Sequence, residues 1–129
     1  MTRFERSFTA QPADIDELGH VNNAVWVRWV QEVAVAHWAA LASPEHQAAY
    51  FWVILRHEID YLRALGEGQT VVARTWVGEA ARGARFDRFV EFTGEGGTHV
   101  RAKTTWAIVD RASGRVTRVP KEVAATFAA

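Results

Sequence analysis

The sequence predicts an α+β domain in which a curved antiparallel sheet of about five strands wraps around one long central helix. One apolar segment with helical spacing runs from about Val21 to Leu41. Beyond it, segments of alternating apolar and polar residues are separated by short turns that contain glycine. Because short loops join antiparallel neighbours, one sheet that covers one buried helix is the expected arrangement.

Length and composition favour one folded domain, residues 1–129, with one core. Hydrophobic residues make up 49% of the chain, and its 15 basic and 15 acidic side chains cancel. This balance gives no support for nucleic acid or a membrane surface as a partner. The absence of cysteine excludes disulfides, thiolate metal sites and cysteine nucleophiles. No signal peptide or membrane-spanning run is seen, so a cytoplasmic location is expected.

The helical segment is apolar around most of its circumference, which predicts that it is buried on most sides. Asn22 or Asn23 is the expected N-cap, and Ser43-Pro44 ends the helix. The main apolar stripe, at spacings of three and four, consists of Trp26, Val30, Val33, His37 and Leu41.

One strand is predicted before the helix, and the others follow it. A frayed helical turn is expected at Lys121 to Ala129, whereas strand order does not follow from the sequence. The predicted strands are Arg3 to Thr9, Val53 to Tyr61, Thr70 to Glu79, Arg85 to Phe92, His99 to Asp110 and a short return strand at Arg115 to Val119.

The stretch from Ala13 to Trp26 concentrates polar side chains in a loop that leads into the helix. A helix N-terminus carries unpaired backbone N–H groups and a partial positive charge. A carbonyl oxygen that becomes negative during a reaction could be held there. Asp16 precedes that end by a few residues, which makes it a candidate reactive group.

The pattern D-x-D-x-x-G-H-V-N-N, from Asp14 to Asn23, resembles the hotdog-fold acyl thioesterases of the 4-hydroxybenzoyl-CoA thioesterase type. Residues 56–63, residues 104–110, Gly114-Arg115 and Val119-Pro120 extend the resemblance over nearly the whole chain. It implies a hotdog fold and an acyl-CoA thioesterase without metal or redox cofactor, in which coenzyme A enters as part of the substrate. It also implies a homodimer or homotetramer with a site between subunits.

The resemblance implies three catalytic residues. Asp16 would attack the thioester directly or deprotonate a water, although a loop aspartate can also simply cap a turn. The backbone N–H at Asn23 would hold the oxyanion. His20 would act as an acid or base or bind the substrate by a hydrogen bond, unless it is merely a loop residue.

The predicted substrate-binding residues surround these three groups. Gly19 would supply a positive φ or a close backbone approach, and Asn22 would cap the helix. Trp26 and Tyr61 would contact the acyl group. Arg85 is the candidate partner of the coenzyme A phosphates, taken from a basic group on neighbouring strands that also includes Arg82, Arg88, Arg101 and Lys103. For any single member of this group, the favoured alternative is an ordinary exposed and paired charge on the face of the sheet.

Several alternatives remain open from the sequence. Glu32 could be the catalytic carboxylate, as in other hotdog thioesterases, but Arg28 stands four residues away as an ion-pair partner. Asp14 is expected to be a capping group and His37 a core or interface residue. The H-V-N-N run also suits acyl-carrier-protein thioesterases, which carry asparagine at the position of Leu18. A non-catalytic acyl-CoA-binding module is the third possibility.

Overall fold

A computed structural model describes residues 3–78 and 83–128 of the chain. Its elements, in chain order, are β1 (Phe4–Thr9), a 3-10 helix (Pro12–Asp14), α1 (Asn23–Leu41), α2 (Pro44–Ala49), β2 (Tyr50–Tyr61), β3 (Thr70–Val77), β4 (Arg85–Gly94), β5 (Gly97–Asp110), β6 (Arg115–Val116) and α3 (Lys121–Ala128).

The strands form one antiparallel sheet in the order β1-β3-β4-β5-β2, with β6 paired to the end of β5. The sheet has six strands instead of about five, because the short return strand pairs Val116 with Val109. The 12-residue strand β2 lies at one edge, where its outer backbone groups are available to a further strand.

The predicted strands are found, with shifted ends. Strand β2 begins at Tyr50 instead of Val53, because Tyr50 pairs with Asp110 and the long partner β5 extends the ladder. The predicted end of β3 at Glu79 and the basic residue Arg82 lie outside the described residues.

The alternation of faces along β2 is interrupted at one position. A bulge shifts the register between Ile54 and Arg56, and it leaves Leu55 without a partner on β5. An extra residue in one strand restarts the alternation of faces beyond it. Leu55 is therefore 51% exposed, although it alternates in the sequence with Val53 and Ile59.

Two hydrophobic clusters lie along α1. The first packs the N-terminal half of the helix, including Trp26 and Val30, against β1, β3, β4 and β5. The second involves the C-terminal half of the helix and Val123 and Phe127 of α3. The expectation of a frayed C-terminal turn is wrong, because these two side chains are almost fully buried.

Candidate active site

The loop that precedes α1 is closed by its own backbone. Ile15 forms an antiparallel bridge with Val21, and the Asp16 N–H donates to the His20 carbonyl at 2.8 Å. The Gly19 N–H donates to the Asp16 carbonyl at 3.0 Å. Gly19 has a φ of 81°, a conformation that side-chain-bearing residues rarely adopt. The sequence therefore folds these residues into a tight loop held at the helix entrance.

The carboxylate of Asp16 is anchored through one of its two oxygens. Its Oδ1 accepts hydrogen bonds from the backbone N–H groups of Leu18 (2.9 Å) and His20 (3.2 Å). Its Oδ2 has no hydrogen-bond partner among the described residues. Asp16 therefore caps the turn, which was the alternative role considered from the sequence. Its second carboxylate oxygen is still available to a ligand.

The N-terminus of α1 is capped in a way that leaves one N–H group open. The Asn22 side chain is the N-cap and accepts from the Ala24 N–H at 2.9 Å. The backbone N–H of Asn23, the first residue of the helix, meets no acceptor in the described part of the chain. An open N–H at the positive end of a helix is suited to hold an oxygen that gains negative charge.

These groups line one open pocket of about 510 Å³ at the helix N-terminus. Six of the predicted site residues line this pocket. Five of them lie in the loop or at the start of α1, and the sixth, Tyr61, lies at the end of β2. Its lining comprises Asp16, Leu18, His20, Val21, Asn22, Asn23, Trp26, Tyr61, Leu62, Arg63 and Ala64. Gly19 lies in the same loop but does not line the pocket.

Trp26 and Tyr61 occupy different depths of this pocket. Trp26 is 2% exposed and packs against Trp29 and Phe92, with ring centroids 5.2 and 5.1 Å away, so it forms the floor. Tyr61 is 44% exposed, and its hydroxyl donates to the Asn23 carbonyl at 3.5 Å. Partial burial raises the pKa of Tyr61, which keeps the phenol protonated and able to donate.

His20 presents its imidazole to solvent at the pocket. Its backbone is held by Asp16, whereas its ring has no hydrogen-bond partner among the residues that the structure describes. The side chain is therefore positioned at the loop yet free to approach a ligand.

Arg85 does not line this pocket. It pairs with Ala107 on β5, whereas Tyr61 pairs with Val100. Seven residues of strand separate those partners, or roughly 23 Å at 3.3 Å per residue. Within one chain, the structure therefore places Arg85 away from the predicted site.

Arg63 lines the pocket instead, and the sequence reasoning did not single it out. Its backbone N–H donates to the His99 carbonyl at 3.1 Å, which ties the end of β2 to β5. The sequence did contain a signal for Arg63, because a basic residue directly follows the apolar pair at the end of the β2 segment. Such a cation is suited to bind a phosphate.

Two other carboxylates considered from the sequence have structural partners. Asp14 is 6% exposed and accepts from the Gln11 N–H (2.9 Å) and from Arg28 Nη2 (3.0 Å), which confirms its role as a capping group. Glu32 lies 3.6 Å from Arg28 Nε and does not line the pocket. The helix carboxylate that the sequence left open is therefore absent from this site.

His37 is a core residue, as the sequence predicted. It is fully buried, and its Nδ1 accepts from Arg88 Nη1 at 2.9 Å. Burial, and then the charge of Arg88, lowers the pKa of His37 to about 4, so the imidazole is neutral at pH 7. Arg88 itself is buried, which corrects the expectation of an exposed basic residue on the sheet.

Neither a metal cluster nor a membrane helix is found in residues 3–78 and 83–128. No three His, Asp or Glu side chains within these ranges are grouped so that they could hold a metal ion. None of the helices described there is long and apolar enough to cross a membrane.

Comparisons with solved structures show that the fold is shared with thioesterases. A predicted thioesterase from Bacillus stearothermophilus superposes with a TM-score of 0.86 at 18% identity, covering 98% of this chain and 95% of that chain. A Staphylococcus aureus protein in complex with CoA gives 0.84 at 18% identity, covering 98% and 82%. A 1,4-dihydroxy-2-naphthoyl-CoA thioesterase from Synechocystis gives 0.81 at 14% identity, covering 98% and 96%.

Sequence comparison places the chain more directly. No curated protein matches it with significant similarity. The family model of the Thioesterase-like superfamily matches residues 10–127, which include the loop, α1 and every strand after it. The chain therefore belongs to the Thioesterase-like superfamily.

Proposed function

We propose that this protein is an acyl-CoA thioesterase that hydrolyses an acyl-CoA to the free acid and coenzyme A. One observation carries the proposal: Asp16 and Asn23 line the same open pocket, and among the described residues one carboxylate oxygen of Asp16 and the backbone N–H of Asn23 have no partner. Membership in the Thioesterase-like superfamily supports thioester hydrolysis as the reaction class.

The reaction begins with the thioester oxygen at the helix N-terminus. The Asn23 N–H donates to this oxygen and stabilises the charge that develops on it. Oδ2 of Asp16 then attacks the carbonyl carbon, the C–S bond breaks, and an acyl-aspartate anhydride forms as the thiolate leaves. Water hydrolyses the anhydride and regenerates the carboxylate. Alternatively, Asp16 removes a proton from a water that attacks the thioester itself.

His20 and Tyr61, which both line the pocket, assist the reaction. The His20 imidazole delivers a proton to the departing thiolate and takes one back from the attacking water, since its ring has no competing partner in the described part of the chain. The protonated phenol of Tyr61 exchanges its long, 3.5 Å hydrogen bond to the Asn23 carbonyl for one to the substrate near the helix entrance. The buried ring of Trp26 forms the floor of the pocket and excludes water from that side of the reacting carbonyl.

Arg63 is the cation of the pocket that would meet a coenzyme A phosphate. Binding of CoA by the Staphylococcus aureus protein of the same fold supports a ligand of this kind. Because Arg63 lies two residues beyond the end of β2, the nucleotide end of the substrate would pass over the end of that strand.

A panel of acyl-CoA substrates followed by release of free thiol tests this function. We expect turnover of at least one aromatic, short branched or medium straight-chain acyl-CoA, with coenzyme A as a competitive inhibitor. Hydrolysis of acyl groups only when a carrier protein holds them, without inhibition by coenzyme A, would favour an acyl-carrier-protein thioesterase. Recovery of a tightly bound acyl-CoA intact after long incubation would favour a non-catalytic binding module.

We also propose a homodimer or homotetramer. The edge strand β2 offers unpaired backbone groups along one side, and Leu55, Tyr61 and Leu62 are exposed on it or just beyond it. Pairing of two β2 edges would cover these apolar side chains and bring two pockets toward one interface. Sedimentation at micromolar concentration should therefore show an oligomer, and a stable folded monomer would contradict the proposal.

A further inference from the structure

A second cavity, of about 260 Å³, lies beside the C-terminal half of α1. Its lining shares no residue with the candidate active site. Ala34 of this cavity is 11 residues along the helix from Asn23, or about 16 Å at 1.5 Å per residue. The two sites are therefore separate in position as well as in composition.

The cavity wall is aromatic, with one deeply placed cation. Trp38, Trp52, Phe86, Trp106 and Phe127 line it, and their rings pack on one another in pairs such as Trp52 and Phe86, 5.5 Å apart. Arg88 enters this wall from β4 and is 6% exposed. Its guanidinium carbon lies 5.6 Å from the centre of the Phe127 ring.

Neutral groups are the partners of this buried cation. Arg88 Nη1 donates to His37 Nδ1 at 2.9 Å and to Thr75 Oγ1 at 3.0 Å. Within the described residues, no carboxylate pairs with Arg88, and its Nε and Nη2 have no acceptor. A buried charge normally requires an opposite charge, since desolvation of an ion is costly.

Arg88 keeps its charge at neutral pH. Burial lowers the pKa of Arg88 to about 10, which still leaves the guanidinium protonated at pH 7. His37 is neutral there and contributes only a lone pair. Arg111 is the other charged residue of the described lining, and it is also a cation. The cavity is thus complementary to an anion.

We propose that this cavity binds a small monocarboxylate with an apolar body. The carboxylate pairs with the Nε and Nη2 edge of Arg88, where a planar guanidinium can donate two parallel hydrogen bonds. The apolar body packs among the rings of Trp38, Trp52 and Phe127. Trp52 Nε1 is buried without an acceptor among the described residues, so it offers a further donor in the same wall.

The size of the cavity limits the ligand. Its volume lies just below the ~300–1,000 Å³ of sites for drug-sized molecules. A single aromatic ring or a short alkyl chain with one carboxylate is therefore the expected class. This inference stands apart from the proposed hydrolysis, because no residue of the catalytic pocket takes part in it.

Calorimetric titration with octanoate and benzoate tests the proposal. We expect saturable binding of at least one acid, with one molecule per chain, and at least 10-fold weaker binding of octanol and benzyl alcohol. Arg88→Met should lower the affinity at least 10-fold, and Arg88→Lys should lower it less while it preserves the charge. Arg101→Met is the matched control: it removes an exposed charge outside the cavity and should leave binding unchanged.

Further outcomes separate this site from the others. The Asp16→Asn variant should bind the acids as the wild type does, whether or not the protein hydrolyses acyl-CoA. Loss of binding in that variant would show that the acid binds in the active site, and it would overturn the proposal. Equal binding of alcohols, equal binding of inorganic phosphate, or binding unaffected by both Arg88 variants would also overturn it.

One residue outside the described ranges provides the last test. Glu79 is the acidic residue of the segment 79–82, which the structure does not describe. We expect Glu79→Gln to leave the affinity for octanoate and benzoate unchanged. Binding that arises only in this variant would show that the chain provides its own anion, and the proposal would fail.

Discussion

Replacement of Asp16 by asparagine is expected to lower kcat by at least about 10²-fold while it changes substrate affinity little. General base catalysis contributes on the order of 10²–10⁴-fold, and loss of a nucleophile can cost more. The helix N-terminus at Asn23 still polarises the carbonyl in this variant. Affinity can even rise, because a carboxylate near a thioester oxygen repels it in the ground state. Steady-state kinetics of thiol release measures both quantities.

The structure makes this substitution informative because it spares the loop. Oδ1 of Asp16 accepts from the backbone N–H groups of Leu18 and His20, and the amide oxygen of an asparagine can accept both bonds. The variant therefore loses the negative charge and the basicity without losing the cap. A change in unfolding free energy that is small beside the loss in kcat would support this separation.

Glu32→Gln is the matched control for a carboxylate on the helix. Glu32 pairs with Arg28 on the surface of α1, outside the pocket, so its removal should change kcat far less. If Asp16→Asn keeps near-normal turnover while Glu32→Gln abolishes it, the catalytic carboxylate is on the helix and the assignment to Asp16 is wrong.

The fold was predictable where local pattern determines structure. Helix α1 follows from an apolar stripe and an asparagine cap, and most strands follow from alternation. Strand order, the bulge at Leu55 and the burial of α3 depend on pairing between distant segments, which a single sequence does not specify.

The candidate site was likewise predictable where its residues are close together in the sequence. Its loop residues are consecutive, so Asp16, His20 and Asn23 are brought together by local folding. Arg88 was misread as exposed, although it alternates with Phe86 and Val90 and so shares their inward face. That signal was present in the sequence, but a cation on a buried face conflicts with the usual preference of charges for solvent.

Valine at position 19 is expected to abolish most of the activity at a modest cost in stability. Gly19 has a φ of 81°, which a β-branched side chain rarely adopts, at a typical cost of ~1–3 kcal/mol. A β-carbon there would meet no atom of the described structure within 4 Å, so the strain is purely in the backbone. The loop would relieve it by shifting Asp16 relative to Asn23, and a displacement of 1 Å can cost about 10²-fold in rate.

Gly114 provides a matched control for this backbone strain. It has a φ of 69°, meets nothing within 4 Å, and lies in the turn between β5 and β6, outside the pocket. Gly114→Val should therefore lose a similar amount of unfolding free energy in urea denaturation and keep its kcat/KM. A Gly19→Val enzyme with full turnover would show that the loop does not set the catalytic geometry. Equal losses of activity in both variants would assign the effect to stability alone.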